Sequence, residues 1–141
     1  MAEVANPGWG YFEHEADIGV IGRGPTLAAA LEQAAAATFA IMADPVQVEQ
    51  RIQVDFEFTE TDPDYALVTL LNRLLAEARL QHAVFSRFQV RQDGERWQVE
   101  AGGELWRSDL ARGTEVKGAT LTMLAVQRVH GGWEARCVVD V

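Results

Sequence analysis

Two hydrophobic periods divide this chain. Ile52, Val54, Phe56 and Phe58 alternate with Gln53, Asp55 and Glu57. That period of two belongs to a strand with one buried face. Leu67, Leu70, Leu71, Leu74, Leu75 and Ala78 recur instead at helical spacing and give a helix one apolar stripe. Asp62 in the N-cap position and Pro63 in the first helical position start that helix. An earlier helix opens at Pro25-Thr26, with Thr26 as N-cap, and carries Leu27, Leu31, Ala34, Ala35, Thr38, Ile41 and Met42 at the same spacing. Asp44-Pro45 stops it.

The remaining segments read as strands. Trp9 to His14 and Asp17 to Ile21 form the first two, with Gly22 and Gly24 marking the end of the second. Val84, Ser86, Phe88 and Val90 alternate with Phe85, Arg87 and Gln89. Asp93-Gly94 then signals a hairpin into a strand carrying Trp97, Val99 and Ala101. Leu121 to Val129 and Trp133 to Val141 read as two further strands about a Gly131-Gly132 turn, with 114–118 as a loop leading into them. On the last strand Trp133, Ala135, Cys137, Val139 and Val141 share one face, and Glu134, Arg136, Val138 and Asp140 the other. Strands with two helices inserted among them predict an α+β fold. The expected architecture is a single domain over residues 1–141, with a mostly antiparallel sheet and both helices packed on one face.

Composition narrows the function. No apolar run approaches the ~18 residues of a membrane span. No basic segment leads into an apolar one as a secretory signal would. The lone Cys137 cannot form an internal disulfide, which fits a reducing compartment, and a cytoplasmic protein is expected. The formal net charge is −9, which argues against gripping nucleic acid through clustered cations. It leaves only a local patch around Arg23, Arg107 or Arg112 as a route to RNA. Eleven of the twelve cations are arginine, and Lys117 is the one lysine.

Three segments carry candidate chemistry. His14-Glu15-Ala16-Asp17-Ile18-Gly19 places an imidazole and two carboxylates at a strand junction. It reads as a polar turn or as part of a site. Val138-Val139-Asp140-Val141 closes the sequence on the Asp140 carboxylate and an α-carboxylate at Val141. That reads as a solvated terminus or as oxygen ligands for a hard cation, with Asp17 as a third ligand if the two strands end together. Glu115-Val116-Lys117-Gly118-Ala119-Thr120 offers Lys117 as a point charge for phosphate or carboxylate, or a merely exposed loop. The glycines after Ile21 lack the spacing of a dinucleotide or phosphate loop.

In order along the chain, these segments resemble the archease family. His14 to Gly19 matches the family's His-x-Ala-Asp-Ile-Gly element, and Gly24, Thr26 and Leu27 match the glycine and helix opening that follow. Phe39 to Met42, Ala66 to Leu75, Gly103-Glu104, Glu115 to Thr120 and Trp133 to Val141 match its later elements. Glu15, Leu70, Arg73 and Thr122 depart from the family pattern. The resemblance implies a small α+β protein that binds a divalent cation, Ca2+ ahead of Mg2+ or Mn2+, through Asp17, Asp140 and the carboxylate of Val141. It implies that Lys117 is functional. It further implies an accessory protein, not itself an enzyme, that promotes guanylylation and multiple turnover of an RtcB-type RNA ligase in tRNA splicing. A general chaperone-like protein-binding module and a small metal-dependent phosphoesterase are the alternatives.

Overall fold

The computed structural model describes residues 3–6 and 8–141, the first four by backbone alone. Among the described residues, nine strands run β1 (Glu3–Asn6), β2 (Trp9–His14), β3 (Asp17–Gly24), β4 (Ile52–Thr59), β5 (Ala83–Asp93), β6 (Arg96–Leu105), β7 (Gly118–Ala119), β8 (Ala125–Val129) and β9 (Gly132–Asp140). Two α-helices, α1 (Leu27–Ala40) and α2 (Pro63–Gln81), and a short 3-10 turn at Pro45–Gln47 are inserted among them. All strand pairs are antiparallel. The expected α+β class with an antiparallel sheet and two helices therefore holds, but the strands divide between two sheets. One has the order β1-β2-β3-β9-β7, with β8 also on β9; the other is β4-β6-β5.

Local chemistry sets the helix starts. The Thr26 hydroxyl accepts from the Ala29 amide at 3.1 Å, and Asp62 accepts from the Asp64 amide at 2.9 Å. His82 ends α2 in the left-handed conformation, at φ 53°. α1 ends at Ala40 with Ile41 as its C-cap, before the expected stop at Asp44-Pro45; Asp44 instead caps the 3-10 turn that follows, accepting from the Val46 amide.

One core joins these pieces. Ala30, Leu31, Ala34 and Phe39 of α1 and Leu67, Leu70, Leu71 and Leu74 of α2 meet Val20, Ala135, Cys137 and Val139 of the larger sheet. Phe56, Val90, Trp97, Val99 and Ala101 of the smaller sheet fill the same core. Cys137 is buried as expected, and burial pushes its thiol up to about 12. Phe12, Ile21 and Val138 form a separate apolar cluster on the other face of the larger sheet.

Three further expectations need correction. Gly22 does not end the second strand, because β3 runs through it and ends at Gly24. A Cβ on Gly22 would strike the Ala30 carbonyl and the Ala34 amide, so the glycine marks where α1 lies backbone against backbone on the sheet. The even alternation of β5 fails at Ser86, where the register slips between Phe85 and Arg87. That bulge turns Phe85 inward instead of Ser86. Leu121 to Leu124 is not strand; it loops out between β7 and β8, with Met123 at φ 55°.

Glu104 is almost wholly buried, at 2% exposed. Its carboxylate accepts from Arg107 Nε at 2.7 Å and from the Glu49 amide at 2.6 Å, while Arg107 also donates to the Gln47 carbonyl at 3.0 Å. The carboxylate thus pins the segment entering β4 to the end of β6. The Arg107 hydrogen bonds, then that from the Glu49 amide, hold its carboxyl below the usual range.

Gly22→Ala is expected to destabilise the fold by about 2 kcal/mol or more, since overpacking against backbone leaves little room to relax. Urea denaturation measures it. For Glu104 the folded pKa lies below the unfolded value of about 4.3. Its contribution is therefore complete above that value and is lost as pH falls through the folded one. Glu104→Gln should lower stability near neutrality and flatten the acid limb of stability against pH; an unchanged acid limb would remove the clamp from this account.

Candidate functional site

The larger sheet brings residues from both ends of the chain to one edge. β2 and β3 form a hairpin whose two-residue turn is Glu15-Ala16, with Glu15 at φ 53°, and His14 stands opposite Asp17. β3 and β9 pair from Gly24↔Trp133 to Ile18↔Val139. One step further along that register, Asp17 comes opposite Asp140. Directly opposed residues of antiparallel strands present their side chains on the same face. The Val141 amide donates to Asp17 Oδ1 at 3.4 Å, a long contact that leaves most of the carboxylate's acceptor capacity free. On the other side of β9, Gly118 pairs with Asp140, and the Lys117 amide donates to the Asp140 carbonyl at 2.8 Å. Asp17, Asp140, Val141 and Lys117 thus gather at one end of the sheet. Asp140 and Lys117 are exposed there, and Asp17 and Val141 are half-buried.

The Lys117 segment is largely irregular, so its position comes from individual bonds. The Gly113 and Thr114 amides donate to the Met42 and Ile41 carbonyls at 2.7 and 3.0 Å. Val116 is buried in the core. Arg79 Nη1 donates to the Lys117 carbonyl at 3.2 Å. Asn72 holds both backbone groups of Ala119: its Oδ1 accepts from the amide at 2.8 Å and its Nδ2 donates to the carbonyl at 3.3 Å. The Thr120 amide and hydroxyl both donate to the Val138 carbonyl, at 3.0 and 2.8 Å. Asp64 accepts from the Val126 amide at 2.7 Å. Asn72, Arg79 and Asp64 are thus the supporting residues that pattern reading passed over. On sequence they read as polar positions of an amphipathic helix, and only the long-range pairing reveals their use.

Chemically, the edge offers oxygen donors: two carboxylate side chains and the backbone around Val141. Such a set suits a hard divalent cation better than a thiophilic one. Among the described residues, no group of three or more His, Cys, Asp or Glu side chains comes together to hold a metal. Asp17 and Asp140 are thus not joined there by a third side chain of those types. His14 Nδ1 is buried with no hydrogen-bond partner, an imidazole nitrogen left unsatisfied next to Asp17 in the ladder. His82 and His130 are exposed. Among the described residues, no helix is long and apolar enough to cross a membrane.

The sequence pattern of the Archease protein family (MTH1598/TM1083) matches residues 9–141. Curated relatives called Protein archease include one from Methanosarcina mazei, 31% identical, covering 93% of this chain and 94% of the relative. Another, from Thermococcus gammatolerans, is 33% identical over 94% of this chain and 98% of its own. The solution structure of Methanobacterium thermoautotrophicum protein 1598 superposes with a TM-score of 0.86 at 30% identity, covering 95% of this chain and 99% of that one. The crystal structure of a Thermotoga maritima archease, described as a possible chaperone, shares the fold at 18% identity and a TM-score of 0.64, covering 92% of this chain and 94% of its own.

Asn72→Ala leaves both the amide and the carbonyl of Ala119 without their partner. Stability should fall by about 1–3 kcal/mol, the usual cost of an unsatisfied group. Hydrogen exchange should quicken at residues 117–120 ahead of the strands around them. Unchanged protection there would show that the segment is held without Asn72.

Proposed function

The chain belongs to the archease family, matched over residues 9–141, and on that premise we propose that it activates an RtcB-type RNA ligase through a cation held at the Asp17–Asp140 edge. The observation that carries this reading is the convergence itself. The two strands that end on Asp17 and Asp140 are paired in a register that sets these carboxylates opposite each other, with Lys117 bonded to the same residue. Two carboxylates so placed repel unless a cation lies between them. Asp17 and Asp140 would hold that cation, with the carboxylate of Val141 as a third oxygen ligand. Ca2+ is the first candidate and Mg2+ or Mn2+ the next, given an all-oxygen donor set. A bound cation supplies positive charge to phosphate oxygens.

Lys117 adds a compact charge on a flexible stem beside the carboxylates. Its backbone is fixed at both the amide and the carbonyl, so the stem swings from a defined point. The protein's overall charge of −9 would draw this edge towards a cationic ligase surface and keep it from competing for RNA. In this reading the protein enters the ligase, orders metal or nucleotide for guanylylation, and leaves, so that one ligase joins many RNA ends in tRNA splicing or RNA repair.

The test is ligation by a limiting amount of RtcB-type ligase with GTP and Mn2+, beside calorimetric titration of the isolated protein with Ca2+ and Mn2+. Wild type should raise ligation from about one turnover to many. Asp17→Asn and Asp140→Asn should each weaken cation binding at least about tenfold, the loss of one charged ligand, and abolish stimulation. Lys117→Ala should keep cation binding and still lose stimulation. If both carboxylate variants stimulate as well as wild type, the edge is not the effector, and the protein-binding module becomes the better account.

A further inference from the structure

A cleft of about 530 Å³ opens between the end of α2, the residue following β6 and the 112–116 segment. That volume lies within the range of small-molecule sites, about 300–1,000 Å³. Its floor is apolar, built from Leu75, Ala78, Ala83 and Val116, all buried. Half-buried Trp106 forms a wall, and the Arg112 guanidinium lies over its ring at 4.1 Å. Arg79, His82 and Glu115 complete an exposed rim.

The rim carries two arginines that have no carboxylate partner among the described residues. Carboxylates outnumber cations by 21 to 12 along the chain. Arg23, Arg51, Arg96, Arg107 and Arg136 are each in an ion pair with a carboxylate. Among the described residues, Arg79 and Arg112 are in none: Arg79 donates to a backbone carbonyl and Arg112 rests on an indole. Two guanidiniums without counter-ions converge on one cleft. An anion is their electrostatic complement, and guanidinium N–H edges suit phosphate in particular. The indole wall and apolar floor call for a planar, weakly polar body attached to that anion. Glu115 offers an acceptor for an N–H on the same body.

We propose that this cleft binds a mononucleotide, its base against Trp106 and the apolar floor and its phosphate on Arg79 and Arg112. A nucleic-acid strand is disfavoured by the chain's negative charge and by the small extent of the cationic rim. Arg79 also donates to the Lys117 carbonyl, so an occupied cleft touches a residue that supports the acidic edge.

The experiment needs no ligase, so its failure and that of the activator reading are distinguishable. Isolated protein is titrated calorimetrically with GMP and AMP, then with the parent nucleosides and with ribose 5-phosphate. The expected result is saturable binding of at least one mononucleotide, with the nucleoside and the sugar phosphate each at least about tenfold weaker. Arg112→Ala and Arg79→Ala should each weaken binding by about tenfold or more, and Arg112→Lys should recover only part of the loss. Unchanged melting curves would show that these exposed substitutions leave the fold intact. Absence of mononucleotide binding overturns the proposal, as does binding indifferent to both arginines. Ribose 5-phosphate binding as tightly as the nucleotide would reduce the cleft to a general anion site and also overturn it. So would capture of an oligoglutamate peptide in place of any mononucleotide.

Discussion

The pairing of β3 with β9 is the constraint on which the rest of the molecule depends. It joins residues 18–24 to residues 133–139, and so closes nearly the whole chain into one loop. Closure over such a length costs conformational entropy that no local contact offsets. The return comes from packing: Val20, Ala135, Cys137 and Val139 are each fully buried between the sheet and the helices. A slip of one residue would turn this set away from the helices, so the core enforces the register strictly. The placement of Asp17 opposite Asp140 is a consequence of that register, at the end of a ladder held in place by apolar residues. The candidate site thus draws its geometry from the core without contributing to it.

The same sheet explains the alanine-rich first helix. α1 approaches β3 where Gly22 and Gly24 leave no side chain, and its own contacting positions include Ala29, Ala30 and Ala34. Larger residues on either side would push the helix away and open space behind Leu31 and Phe39. Small residues here let two backbones meet, at the cost of the propensity that glycine lowers in a strand. α2 works differently. Its leucines fill volume between the sheets, while its polar edge reaches across to the backbone of the irregular 117–126 stretch through Asp64, Asn72 and Arg79.

What was legible in the sequence followed from how local each determinant is. Thr26 and Asp62-Pro63 mark helix starts because capping acts over three or four residues, and both are N-termini in the structure. Asp93-Gly94 turns the chain for the same reason. The Ser86 bulge was not legible, since it exists only against Gly102 and Gly103 of the partner strand. Nor was the loop at 121–124. Its residues keep a strand-like composition, but bonds between Thr120, Thr122 and Val138 pull the chain out of the ladder. The division into two sheets is a tertiary choice that alternation cannot express. For the candidate site, motif order singled out Asp17, Lys117 and Asp140, while their proximity depended on a pairing that no spacing reveals.

The segment from Trp106 to Thr120 links the two chemically distinct regions of the surface. At one end Arg112 lies on Trp106 beside the cleft; at the other Lys117 is bonded to Asp140 at the acidic edge. Regular structure is nearly absent between them, yet the chain is tied at Gly113, Thr114, Lys117, Ala119 and Thr120 to the residues just after α1, to α2 and to β9. Such a segment is ordered by tertiary bonds alone, so its stability is separable from that of the strands it follows. Arg79 sits at the junction, lining the cleft while holding the Lys117 carbonyl. A change in how Arg79 is engaged on one side therefore reaches the other through a single hydrogen bond. The fold thus sets Asp17 and Asp140 at the end of a paired ladder and joins that edge to the cleft through a segment held by individual bonds.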